Sequence, residues 1–151
     1  MRSHPPTLST LVLGCLRREC AIPRDAHLLL AISGGPDSMA LLHVLAQLRQ
    51  RARFSLSAHG VDHGLRPEAS GELQLAKALC EHLEVPFSAT QLSLRDGANL
   101  QARARTARYE ALREQLRRVP DVPRAPREAP HVFLVTAHHA DEDRKSTRLN
   151  S

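Results

Sequence analysis

Aromatic side chains are scarce in this chain. They make up 3% of it, as three phenylalanines and one tyrosine with no tryptophan, so the core is left to Leu, Val and Ala. Cysteine is nearly as rare. Cys15, Cys20 and Cys80 form no C-x-x-C pair, which argues against a disulfide framework or a structural zinc motif. Three small apolar side chains buried in a reducing cytosol are the expectation instead. No apolar run approaches the length of a membrane span. Pro5 and Pro6 interrupt the N-terminus, and nothing there reads as a signal peptide, so a cytoplasmic protein with no membrane partner is expected. Lysine is almost missing: of 21 basic residues only Lys77 and Lys145 are lysines, the mark of a GC-rich gene before it is a mark of function. There are no internal repeats.

What remains suits one α/β domain. The 151 residues fit the usual length of one domain, and a 42% hydrophobic share is enough for a core. The net charge is +5. Arg144, Lys145 and Arg148 against Asp143 account for +2 of it, leaving a mild excess of +3. That excess is compatible with a nucleic-acid partner but does not establish one, because such affinity comes from clustered phosphate contacts.

The segment 28–42, Leu-Leu-Leu-Ala-Ile-Ser-Gly-Gly-Pro-Asp-Ser-Met-Ala-Leu-Leu, carries the most information. It reads as a buried strand, a tight Ser-Gly-Gly turn and a helix opening on a polar residue. Such a turn aims N–H groups and the positive end of a helix dipole at one point, which suits a phosphate. Gly34 and Gly35 would let the backbone approach the anion with no Cβ between. Ser33 and Ser38 could add hydroxyl donors, and Asp37 could hold a divalent cation. The loop lacks the Gly-Lys-Ser/Thr ending of a Walker A loop and the G-x-G-x-x-G spacing of a dinucleotide site.

Apolar runs alternate with helical patterns along the chain. A helix is expected from Thr7 to about Cys20, a strand over His27–Ile32, a helix over Asp37–Arg49 and a strand over Phe54–Ala58. A loop follows through Asp62–Pro67, then a helix over Glu68–Leu83 and a strand over Pro86–Leu92. Asn99 is an expected N-cap for a helix to Arg118. Pro120, Pro123, Pro126 and Pro130 make that stretch an irregular loop, and His131–Ala137 is a fourth strand. Continuous apolar strands separated by helices imply a doubly wound parallel sheet with helices on both faces. Ligands in such sheets bind beyond the carboxyl ends of the strands, at the point where the chain reverses its direction of travel.

Residues 33–38 resemble the PP-loop of the ATP-pyrophosphatase superfamily. Three further blocks narrow the resemblance to the bacterial tRNA(Ile)-lysidine synthase family: His59-Gly60-Val61-Asp62-His63-Gly64-Leu65-Arg66-Pro67-Glu68, Asn99 through Tyr109, and Thr136-Ala137-His138-His139-Ala140-Asp141. The resemblance implies that strand four lies beside strand one, with two and three on the other side. It implies ATP and Mg2+ as cofactors. Ser33, Gly34, Gly35, Pro36, Asp37, Ser38, His59 and Asp62 would then bind the nucleotide. Asp37 and Asp141 would hold the metal, and Asp37, Asp141 and Arg108 would be catalytic. The implied substrates are a tRNA(Ile) with a CAU anticodon and free L-lysine. ATP adenylates the C2 carbonyl oxygen of the wobble cytidine, and the lysine ε-amine then attacks C2 to form lysidine. Another PP-loop enzyme such as a tRNA thiolase, or a nucleotide-binding module without catalysis, is the alternative.

The fourth block departs from the family pattern at Glu142. The nonapeptide Asp143–Ser151 resembles the conceptual translation of a sequencing-library adapter, so 143–151 is expected to be a non-native tail. Residues 1–142 are then expected to be a catalytic domain incomplete at its C-terminal side, and a fragment that binds ATP without completing the reaction.

On a 3.6-residue wheel of the Asn99–Arg118 helix, Ala104, Tyr109, Ala111, Leu112 and Leu116 form an apolar stripe that contains Arg105 and Arg108. A guanidinium on such a stripe needs an anion, either a phosphate or a structural carboxylate, unless it extends its head to water. Arg103, Arg113 and Arg117 lie on the other side. His59, His63, His138 and His139 have no metal-ligand spacing, so polar or packing roles are expected for them. Asp141 could equally cap a following helix.

Overall fold

A computed structural model of the chain describes residues 4–119 and 132–137. Seven consecutive residues, Ala26–Ile32, form β1, and all seven are buried. Only the centre of a parallel sheet buries a strand on both faces in this way. The other strands are β2 (Phe54–Asp62), β3 (Phe87–Gln91) and β4 (Val132–Thr136). All pairs are parallel and the order is β3-β2-β1-β4, so β4 lies beside β1 as the resemblance implied.

The helices are α1 (Leu8–Gly14), α2 (Pro36–Ala52), α3 (Glu68–His82) and α4 (Leu100–Arg118). The β1-α2-β2 and β2-α3-β3 crossovers travel one way along the sheet and β3-α4-β4 travels back. Right-handed crossovers therefore put α2 and α3 on one face and α4 on the other. The doubly wound α/β architecture is thus present among the described residues.

The core lies between the sheet and α2/α3. Leu28, Leu30 and Ile32 from β1 and Phe54, Leu56 and Ala58 from β2 pack on Leu42, Leu45 and Leu48 of α2 and Ala76 and Cys80 of α3. The Arg49 guanidinium ties the two helices, donating to the Leu83 carbonyl at 2.7 Å and the Glu84 carbonyl at 3.2 Å, where α3 ends.

Three expected elements differ. The N-terminal helix is α1 followed by a π-helical turn, Cys15–Glu19, closed by Cys20 N–H donating to the Cys15 carbonyl at 2.9 Å. The β2 strand runs four residues past its expected end at Ala58, because β3 pairs with its carboxyl half, from Ala58↔Phe87 to Asp62↔Gln91. Asn99 does occupy the N-cap of α4, but in the left-handed region (φ 57°) with no side-chain cap. Its carbonyl accepts the Arg103 N–H at 2.9 Å. The Pro120–Pro130 loop, His131, the His138–Asp141 segment and the tail 143–151 lie outside the described residues.

Candidate functional site

The Ser33–Ser38 turn stands at the carboxyl end of β1. The chain leaves β1 toward β2 on one side, while β4 lies on the other, with Thr136 paired to Ala31 two residues before Ser33. That is the reversal point at which open α/β sheets bind ligands. Ser33, Pro36 and Asp37 are exposed there, and Gly34 and Gly35 are half-buried.

The turn is held from within. Ser38 is 4% exposed; its hydroxyl donates to the Gly35 carbonyl at 3.2 Å and accepts the Ser33 N–H at 3.2 Å. With that proton committed, the 3.1 Å contact between the two hydroxyls has Ser33 as donor. Ser33 Oγ in turn accepts the Gly35 N–H at 3.3 Å. Both hydroxyl protons are therefore used inside the turn, and the two serines shape it.

The two glycines also divide their work. Gly34 has φ +82°, a conformation that a side chain disfavours. A Cβ there would collide with the backbone carbonyl of Glu72 in α3. Its missing side chain lets the turn pack on α3, and close approach to an anion is not what empties that space. At Gly35 an added Cβ would meet only Ser33 Oγ, at 3.4 Å. Gly35 is the extended N-cap of α2, and Pro36 follows at the first helical position, where it needs no N–H partner. Pro36 thus sets the start of α2 and brings no donor of its own. Asp37 lies in the first turn of α2, where the helix dipole favours a negative charge.

At the end of β2, Asp62 is half-buried and its Oδ1 accepts the Gly64 N–H at 2.8 Å. His63 Nδ1 accepts the Leu65 N–H at 3.2 Å, which places the proton of the neutral ring on Nε2. His59 is not presented to this site. It is 2% exposed and sits within β2, with Nδ1 at 2.6 Å from Ser88 Oγ and Nε2 at 2.8 Å from Thr90 Oγ1, both on β3. With both ring nitrogens occupied it clamps two strands together. The physical reason is the longer β2: three residues past Leu56, strand alternation turns the ring to the face opposite α2 and α3.

On α4, Ala104 and Leu112 are buried and Arg108 between them is half-buried. No carboxylate forms an ion pair with Arg108 among the described residues. Arg105, expected on the same stripe, is exposed, and its guanidinium lies 5.9 Å from the centroid of the Tyr109 ring. The buried stripe is narrower than the wheel suggested, running Ala104, Arg108, Leu112 at intervals of four. Arg103 is used in folding the approach to α4, donating to the Arg95 carbonyl at 2.8 Å and the Ala98 carbonyl at 3.2 Å. Asp141, the other expected metal ligand, lies outside the described residues together with His138 and His139. Among the described residues, no three His, Cys, Asp or Glu side chains converge as a metal site.

Glu72, Ser88 and Thr90 are the residues that sequence reasoning missed. A faint signal existed for the last two: Ser88-Ala89-Thr90 alternates polar and small residues with the period of a strand.

A family model described as a PP-loop domain matches residues 15–149. The chain is 38% identical over 132 residues to a tRNA(Ile)-lysidine synthase of Novosphingobium aromaticivorans, covering 86% of this chain and 36% of that protein. It is 35% identical over 144 residues to that of Pectobacterium atrosepticum (95% and 28%) and 43% identical over 94 residues to that of Nitratidesulfovibrio vulgaris (59% and 27%). The chain therefore spans about a quarter to a third of the length of these curated relatives. Among solved structures, the U34-tRNA thiolase NcsA from Methanococcus maripaludis, determined with its 4Fe–4S cluster, has the same fold. The TM-score is 0.65 at 16% identity, over 89% of this chain and 46% of that one.

Proposed function

This chain belongs to the PP-loop domain family, and from that premise we propose that it is the nucleotide-binding catalytic part of a tRNA(Ile)-lysidine synthase. The reaction proposed is the ATP-dependent joining of lysine to C2 of the wobble cytidine of a tRNA(Ile) with a CAU anticodon, in the cytoplasm. The observation that carries this reading is the internally braced Ser33–Ser38 turn, open to solvent at the reversal point between β1 and β4. A turn shaped in advance meets a triphosphate without first being ordered, which is what anion capture at a helix N-terminus requires.

In this reading the start of α2 receives the pyrophosphate end of ATP. Arg108, half-buried with no carboxylate ion pair among the described residues, supplies a guanidinium for a phosphate oxygen. Asp62, at the end of the neighbouring strand, lines the nucleoside side. Asp37 is a hard oxygen donor in the first turn of α2 and fits one ligand of a magnesium ion that keeps phosphates and waters as its others, with Asp141 as a second. That ion, when bound, neutralises charge on the leaving pyrophosphate. The first step forms a bond from the cytidine C2 oxygen to the α-phosphorus and releases pyrophosphate. In the second, the lysine amine displaces AMP.

The test is pyrophosphate release by the full-length gene product. Pyrophosphate release is expected to need ATP and a CAU-anticodon tRNA(Ile) transcript, AMP release to need lysine as well, and Asp37→Asn should lower both by about a hundredfold. AMP release that ignores lysine, or sulfur transfer to the tRNA in its place, would overturn the assignment. Arg108→Lys keeps the charge and loses the fork. Unchanged ATP affinity in that variant would remove Arg108 from the site.

A further inference from the structure

Cys15 and Cys20 look unrelated in sequence, because residues five apart stand about 140° apart around an α-helix. The π-helical turn changes that. Its i→i+5 hydrogen bond, Cys20 N–H to the Cys15 carbonyl at 2.9 Å, stacks the second cysteine over the first. The two sulfurs lie 3.8 Å apart. Between them in sequence, Leu16 is 8% exposed and anchors the turn in the core, while Cys15 is half-buried and Cys20 is exposed. Beyond Cys20 the chain turns at Ala21, with a left-handed φ of 49°, and re-engages at Ile22, whose N–H donates to the Leu16 carbonyl at 2.9 Å. The pair is thus held on a fixed turn and open on its Cys20 side. The third thiol, Cys80, is 0% exposed in the core and shares nothing with it.

We infer that Cys15 and Cys20 are an oxidisable dithiol that a peroxide converts into a reversible disulfide within the chain. The exposed sulfur, Cys20, reacts first: its thiolate takes one peroxide oxygen, the O–O bond breaks, and water leaves after protonation. The product is a sulfenic acid at Cys20. Cys15 then attacks Cys20 Sγ; the S–S bond forms, the S–O bond breaks, and hydroxide departs and becomes a second water with the Cys15 proton. Two thiols and one hydrogen peroxide give one disulfide and two waters. The closure to about 2.05 Å is a small displacement from contact. Cys15 is not the thiol that peroxide meets first. Its thiol is held protonated above the ordinary range by its hydrogen bond to Cys20, by burial and by the Glu19 carboxylate, whose Oε2 lies 3.7 Å from its sulfur. Cys80, pushed up to about 11 by burial, is an internal control that stays reduced.

The experiment is brief hydrogen peroxide treatment of the native full chain, then denaturation, alkylation and trypsin digestion. Arg17 and Arg18 lie between the two cysteines, so trypsin separates the peptide ending at Arg17 from Glu19–Arg24 unless a disulfide joins them. The expected result is that linked pair, one alkylated cysteine (Cys80) and restoration of all three thiols by dithiothreitol. In Cys20→Ser, loss of the Cys15 thiol should slow by about tenfold, because the reactive partner is gone. Linkage between two chains, linkage to Cys80, oxygen adducts with no linked pair, or unchanged Cys15 loss in Cys20→Ser would each overturn the inference.

Discussion

Leu30 and His27 stand on the same strand three residues apart, and they face different interiors. Leu30 points to α2 and α3, into a layer whose fully buried members are Leu, Ile, Val, Ala, Phe and one thiol. His27 points to the α4 side and is 8% exposed, with Nδ1 at 2.7 Å from Ser55 Oγ and Nε2 at 2.7 Å from Ser57 Oγ, both on β2. One strand over, His59 repeats the arrangement with Ser88 and Thr90 of β3. In each case an imidazole bridges two hydroxyls that stand two residues apart on the neighbouring strand. Leu29, Ala31 and Leu112 are buried as well. The apolar face holds the sheet by buried area, without paired donors and acceptors. The α4 face holds it by paired donors and acceptors, which a slip of one residue would separate.

Five measurements would break or sharpen that contrast, beginning with the largest effect. Leu30→Ala removes a side chain with 0% exposure from the centre of the apolar face and should cost about 3 kcal/mol in urea unfolding. A loss below about 1 kcal/mol would mean that this face is not the main support. Next comes Gly34→Ala, where a Cβ meets the α3 backbone in a left-handed conformation. It should cost about 2 kcal/mol and weaken ATP binding as well, since turn and helix cannot both keep their places. Unchanged stability with weakened binding would instead assign Gly34 to the ligand.

His59→Ala leaves the Ser88 and Thr90 hydroxyls without their partner and should cost about 1–3 kcal/mol. The same face should respond to acid. Burial holds both imidazoles below the usual histidine range, so the unfolded chain binds protons first as pH falls. Stability is therefore full above about pH 6.5 and declines below it, by at most ~1.4 kcal/mol per pH unit for each histidine, until the folded rings also protonate. Urea midpoints at intervals from pH 7.5 to 5 should show the decline in the native chain and a shallower one in His59→Ala. Equal slopes would show that His59 does not carry it. The smallest effect belongs to the exposed pair of Glu114 with Arg117 and Arg118: Arg117→Ala should change stability by less than about 0.5 kcal/mol.

Much of the α2/α3 side was legible in the residues themselves. Continuous apolar runs at β1 and β4 and helical spacing between them specify parallel strands with helices, since no other arrangement buries such strands on both faces. Glycine at 34 and proline at 36 mark the turn and the start of α2. The α4 side was not legible to the same degree. His59 reads as a loop residue because Gly60 follows it and because its partners, Ser88 and Thr90, lie some thirty positions away. A helical wheel placed Arg105 with Arg108, but the width of the buried stripe depends on how far α4 stands from the sheet. The cysteine pair hides for a related reason, because only a π turn brings positions 15 and 20 together.

Sequence alone thus determined the order of elements, the place of the Ser33–Ser38 turn and the family to which its motifs point. Local chemistry and periodicity act over a few residues, and those features need nothing more. Tertiary structure decided which atoms are already taken. It joined Ser33 and Ser38 to each other within the turn, set Gly34 against α3, enclosed His59 between strands and left Arg108 without a carboxylate ion pair among the described residues. Each of these depends on what a distant segment places within hydrogen-bonding or van der Waals reach, and that distance exists only once the chain has folded.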